Sequence, residues 1–222
     1  MKLKIVIKAC VIVMCFALFS CSQDEEVYSC DKEVNAWVKE NLVDIQQMTR
    51  EGWLQLDESV NRATYVAFAP EQKQEFWLQK LQEVLSLDWN ELEKSHIEAL
   101  SQKVIDNPNW FSKERTKEES EEYDLFQYKW IEYAQEELGW TLNQVGSIAL
   151  TGNKVVDKQG GIQMNTTGIR LKSGSEKPSC GCNQMDSWCG VTKYCSNDDC
   201  DGSSWGCGLL GLAPCNGLCK NI

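Results

Sequence analysis

The sequence predicts a mainly α protein. A helical body of about four to six helices spans residues 31–140. A flexible Gly-rich connecting segment spans 141–179, and a small irregular disulfide-rich module spans 180–222. Three observations carry this. Apolar residues recur at helical spacing through the body. Six glycines fall between 146 and 174 among Ser, Thr and Asn. Eight of the last 43 residues are Cys, whereas the 149 residues from Asp31 to Ser179 contain none.

The body resolves into periodic segments. DKEVNAWVKENLVDIQQMTR puts Val34, Trp37, Val38, Leu42, Ile45 and Met48 on one helical stripe. APEQKQEFWLQKLQEVL opens with Pro70 at a helical N1 position and lines up Trp77, Leu81 and Val84 or Leu85. DWNELEKSHIEAL carries Asp88 and Glu91 at capping-box spacing, and its helix is expected to stop before Asn107-Pro108. EESEEYDLFQYKWIEYAQEELG aligns Tyr123, Phe126, Trp130 and Tyr133 or Ala134, and ends at the C-cap glycine Gly139. Seven of the nine Trp lie in this zone, at spacings that fit a core.

Past the body, residues 142–150 read as a short helix or hairpin. The stretch through KSGSEKPS reads as a loose linker and Gly160-Gly161 as a flexible turn. The tail itself contains seven Gly, and none of its windows holds a helical or strand period.

The first residues place the chain in a compartment. Lys2, Lys4 and Lys8 precede the eleven-residue apolar run Ala9–Phe19, which suits a signal peptide over residues 1–20 and is too short to span a bilayer. The run closes on LFSC, residues 18–21, which resembles a bacterial lipobox and implies lipidation of Cys21. Residues 21–30 then form an acidic tether whose SQDEE resembles the surface-export signal of Bacteroidota lipoproteins. The expectation is an outer membrane lipoprotein of the cell envelope, surface exposed and held to the membrane by its lipid alone.

Charge and motifs exclude several functions. The formal charge is −11, and −14 once the three signal lysines are removed. The tail contributes −2 of that, so the body is strongly acidic. Such a chain has no footprint for nucleic acid or for an anionic membrane surface. One His, His96, leaves no multi-His metal site, and there is no G-x-S-x-G, P-loop or H-E-x-x-H. No catalytic residue, metal ligand or cofactor is assigned, and the chain is not expected to be an enzyme.

The tail cysteines are Cys180, Cys182, Cys189, Cys195, Cys200, Cys207, Cys215 and Cys219. Two chemistries are open to them. Four disulfides would staple a segment too short to fold on its core alone, and an even count in an exported chain fits this. Zinc knuckles would need Cys pairs two to four residues apart, and only Cys215 and Cys219 meet that spacing. Disulfides are the expectation, with pairing unreadable among 105 connectivities. Cys30 is left over, and three fates are open to it: a thiol, a link between chains, or a pairing into the tail.

The spacing C-x-C-x6-C-x5-C from Cys180, the GCG around Cys207 and the PCNG at 214–217 resemble fulvocin C, a small cysteine-rich bacteriocin of a myxobacterium. With CDKEVNAWVKEN (30–41) and FAPEQKQEFW (68–77), the chain is similar to the fulvocin C-related lipoproteins of Bacteroidota. The final C-x3-C departs from the peptide. The resemblance implies an antibacterial tail aimed at a receptor or envelope component of a competing bacterium. The candidate contact surface is Trp188, Trp205, Leu209, Leu210 and Leu212. The alternative is a non-toxic surface-binding lipoprotein with a disulfide-rich head. A third reading makes the body the functional part and the tail its end cap.

Overall fold

The computed structural model describes residues 26–163, 178, 180–184, 188–190, 193–200 and 202–222, without the side chains of 203–205. Among them are eight α-helices: α1 Lys32–Glu40, α2 Leu42–Ile45, α3 Arg50–Trp53, α4 Glu58–Ala67, α5 Pro70–Leu85, α6 Glu91–Asp106, α7 Lys117–Glu136 and α8 Leu142–Val145. A 3-10 turn, Pro108–Phe111, joins α6 to α7, and a π-helical turn, Gly146–Leu150, extends α8. Six short strands follow: β1 Lys154–Val155, β2 Ile162–Gln163, β3 Lys193–Ser196, β4 Ser203–Cys207, β5 Ala213–Cys215 and β6 Leu218–Asn221. They pair antiparallel as β1–β2, β3–β6 and β4–β5.

The fold is thus the helical protein with a disulfide-rich C-terminal region that the composition predicts. The expected lipobox at Cys21 and the expected signal segment lie outside the described residues, as does KSGSEKPS apart from Pro178. No helix among the described residues is long and apolar enough to cross a membrane.

Local chemistry sets the helix boundaries. The first stripe is two helices rather than one. Asn41 leaves the helical region, and its side-chain amide donates to the Trp37 carbonyl at 2.8 Å, which closes α1 before α2 begins. Val34, Val38 and Ile45 are buried as the stripe requires. The capping box of α6 is Asn90 with Glu93, not Asp88 with Glu91. Residues 87–89 are held as a turn, because the buried Trp89 indole donates to the Val84 carbonyl at 2.6 Å. The helix therefore starts two residues later than the charge pattern suggests. At the end of α7 the core takes Ala134 and leaves Tyr133 exposed, and Gly139 stops the helix at φ +67.

His96 lies between α6 and α7. Its ring stacks on Trp130 with centroids 4.6 Å apart, and its Nε2–H donates to the Trp130 carbonyl at 3.0 Å. Burial lowers its pKa from 6.5, against the carbonyl's opposing pull. A proton therefore prefers the unfolded chain. Stability from neutral His96 is complete above about pH 6.5 and is lost as pH falls through the lowered folded value. In urea melts taken from about pH 7.5 to about pH 5, the wild-type chain should lose more stability than His96→Phe, which has nothing to titrate there.

Candidate functional site

Four disulfides pair the eight tail cysteines with one another: Cys180–Cys200, Cys182–Cys195, Cys189–Cys219 and Cys207–Cys215. Cys215 and Cys219, the one pair at zinc-knuckle spacing, belong to different bridges. Cys195 and Cys219 face each other across β3–β6, yet each bonds to a cysteine outside the pair. The sulfurs of Cys182, Cys189 and Cys195 lie within 4.8 Å of one another because two bridges stack. As disulfides they present no thiolate to a metal. Gly217 makes the stack possible: a Cβ there would come within 2.5 Å of Cys195 Sγ. Cys30 displaces none of these partners. Its thiol donates to the Gly202 carbonyl at 2.8 Å, which lays the N-terminal segment against the tail.

The tail does not stand off from the body. Three of the expected contact residues are interior. Leu209 and Leu210 are 0% exposed and Leu212 is 1% exposed, all within the main core cluster of the body. They are corrected here from surface to core. Trp188 is half-buried, and its indole covers Gly146 so closely that a Cβ there would meet the ring at 2.3 Å. The side chain of Trp205 lies outside the described residues.

Body side chains hold the backbone of the tail. The Tyr65 hydroxyl donates to the Leu210 carbonyl at 2.7 Å and accepts from the Trp77 indole at 2.9 Å. The Tyr123 hydroxyl donates to the Leu209 carbonyl, and Arg115 to the Leu212 carbonyl at 3.0 Å. Arg62 donates at 2.9 Å to both the Cys180 and Gly181 carbonyls. Leu210 adopts φ 56, a left-handed conformation that a branched side chain avoids unless its surroundings hold it there. Gly211 at φ +65 passes the Tyr65 ring so closely that a Cβ would lie 2.7 Å from it.

A buried polar hub shapes the wall behind Trp188. Lys80 is 0% exposed, and its ammonium donates to the carbonyls of Ser147 at 2.6 Å, Asn153 at 2.9 Å and Thr151. Burial pushes its pKa well down, with Arg50 adding to that and Glu83 opposing. Three acceptors around one nitrogen nevertheless call for three N–H donors, which only the ammonium form has. Arg50 bonds Glu83 at 2.7 Å and the Gly152 carbonyl at 2.9 Å. Residues 147–153 are thereby fixed against α5. Gly146→Ala should cost about 1–3 kcal/mol and loosen the tail, read as faster proteolysis after about residue 160, because the Trp188 indole has to move.

A cavity of about 310 Å³ lies on another side of the body, between the N-terminal segment, the end of α4, the start of α5 and residues 111–114 ahead of α7. Lys73 of α5, 1% exposed, lines it together with Lys113, Glu26 and Tyr28. The Tyr28 hydroxyl donates to Glu26 at 2.6 Å, and Lys113 pairs with the same carboxylate. Burial, with the bond to Glu26, raises the Tyr28 pKa to about 12. Burial lowers the Lys73 pKa to about 8, with Lys113 adding to that and Glu26 opposing.

Sequence reasoning passed over α4, Arg62, Tyr65, Lys73 and Lys80. A signal for the two lysines exists: both fall on the Trp77–Leu81–Val84 stripe, where a charge at a core position asks for an explanation. No protein-family model, curated protein or solved structure matches the chain.

Proposed function

We propose that this chain is an exported lipoprotein, lipidated at Cys21 and displayed on the cell surface. Its disulfide-stapled, fulvocin C-like tail is an antibacterial effector that the helical body keeps sheathed. One observation carries the reading. The most apolar run of the tail, Leu209–Leu212, is enclosed by the body, and its carbonyls are taken by Tyr65, Tyr123 and Arg115. An apolar segment meant for another surface has to be kept from water and from the host membrane until it is used. The tail is net negative, so attraction to anionic bacterial membranes would not drive its action. A receptor or envelope component recognised through apolar contact fits better.

The test compares oxidised tail, residues 180–222, with the full chain in growth-inhibition assays on related bacteria. Inhibition by the tail and silence of the full chain is the expected result. Failure of the tail against every strain would sink the proposal.

The second reading is a non-toxic binding lipoprotein whose tail is a permanent head. The breadth of the docking favours it, since contacts from α4, α7 and the 146–150 turn all resist release. Its exposed face is polar, with Tyr194, Asp198 and Asp199 on one side. Mass spectrometry of surface and medium fractions separates the two. A released fragment of about 40 residues belongs to the effector, and only full-length, cell-bound chain belongs to the binder.

A further inference from the structure

Two bridges of the tail meet at one point. The sulfurs of Cys182, Cys189 and Cys195 lie within 4.8 Å of one another, and Cys219 is bonded to Cys189. Four sulfurs from Cys182–Cys195 and Cys189–Cys219 therefore share one small volume. Among the described residues no other three Cys, His or carboxylate side chains come together this closely. A tetrahedral zinc ion with Zn–S bonds of about 2.3 Å holds its sulfurs about 3.8 Å apart, a spacing within short reach of this cluster.

Backbone pairing holds the four residues together independently of sulfur. Cys195 faces Cys219 across β3–β6. The Cys182 N–H donates to the Gly217 carbonyl at 3.2 Å, and the Gly217 N–H donates to the Cys182 carbonyl at 3.0 Å. Trp188, beside Cys189, bridges to Tyr194, beside Cys195. The body adds its own grip through Arg62 on the Cys180 and Gly181 carbonyls and through the buried Leu209, Leu210 and Leu212. None of these contacts is made through sulfur, so they remain when the bridges open. Glycine keeps the space between the sulfurs clear, since a Cβ on Gly217 would lie 2.5 Å from Cys195 Sγ and 3.1 Å from Cys182 Sγ.

We propose that this two-bridge cluster is a zinc site in its reduced state, with Cys182, Cys189, Cys195 and Cys219 as the four thiolate ligands. Opening the bridges takes two equivalents of a dithiol reductant. Each gives two electrons and two protons to one disulfide and closes into a disulfide of its own. The four thiols then bind one zinc ion as thiolates and release four protons. The centre carries two negative charges, and Arg62 stands at its edge to offset part of them. A point above Gly181 lies 3.6 Å from Cys219 Sγ and 3.8 Å from the Arg62 guanidinium. Spacing along the chain hides this set, because Cys219 comes from the strand opposite β3. This inference does not rest on the tail being an effector.

The experiment opens the full chain with a dithiol, removes the reductant without air and adds Zn²⁺ alone. Bound metal is counted, and cysteines alkylated by iodoacetamide are mapped by peptide mass. Expected is one zinc per chain, with alkylation of Cys182, Cys189, Cys195 and Cys219 at least about tenfold slower than without zinc. Cys207 and Cys215 should react as they do in its absence. Cys182→Ser with Cys195→Ser should abolish the retained zinc, and Cys207→Ser with Cys215→Ser should leave it in place. A reduced wild-type chain that retains no zinc would overturn the proposal. So would protection that falls on a different set of cysteines. Both results are read on the wild-type chain and do not require the variants to fold.

Discussion

A chain ending at residue 179 should fail to form a native helical body. Leu209, Leu210 and Leu212 are interior residues of that body. Burying one such side chain is worth about 1.5–3 kcal/mol, so the three together contribute roughly 5–9 kcal/mol. Net stabilities of whole domains are about 5–15 kcal/mol. Truncation also strips partners from Tyr65 and Tyr123, whose hydroxyls would face an apolar slot. The expected outcome is loss of the cooperative thermal transition, or a large drop in its midpoint, with new binding of a hydrophobic dye. A truncated chain that melts with the wild type would show that the slot closes on itself. Leu209→Ala in the full chain is the graded version, with an expected cost of about 2–5 kcal/mol.

Lys80→Met should cost about 3–5 kcal/mol, with a fall in melting midpoint of the order of 10 °C. Methionine removes the burden of a buried ammonium and matches the stem of lysine. It also leaves the carbonyls of Ser147, Thr151 and Asn153 facing an apolar side chain. Each buried acceptor stripped of its donor costs about 1–3 kcal/mol, and the three lie in one short segment. The damage should spread outward, because residues 146–153 form the wall on which Trp188 rests. Denaturant unfolding measures the stability, and proteolysis of the linker reports whether the tail loosens with it. A neutral or stabilising substitution would mean that the segment reorganises to bond itself.

Both effects come from residues whose roles are unequally visible in the sequence. The Trp77–Leu81–Val84 stripe, Pro70 as a helix start and Gly139 as a helix stop are local matters, decided by neighbours a turn away. α4 is harder to see. Val60, Thr64, Tyr65 and Val66 are β-branched or aromatic, residue types that favour strands, so local preference argues against a helix that six buried residues of ten hold in place. Leu209–Leu212 is too short to carry a period of any kind. In a disulfide-rich tail, such a run reads equally well as contact surface or as core. Only the slot formed by Tyr65, Tyr123 and Arg115 decides between them.

The sequence by itself determined the helical class of the body, the concentration of disulfide chemistry at the C-terminus and a few helix ends, among them the Pro70 start and the Gly139 stop. These follow from periodicity, composition and capping, each a property of residues near one another along the chain. The tertiary structure decided which cysteine bonds which, where the tail sits and which lysines are enclosed. These depend on contacts between residues as far apart as Tyr65 and Leu210, and distance along a chain carries no information about distance in space. Here the tail's most apolar turn found its burial in the body, because a 43-residue disulfide module has too small an interior to cover three leucines itself.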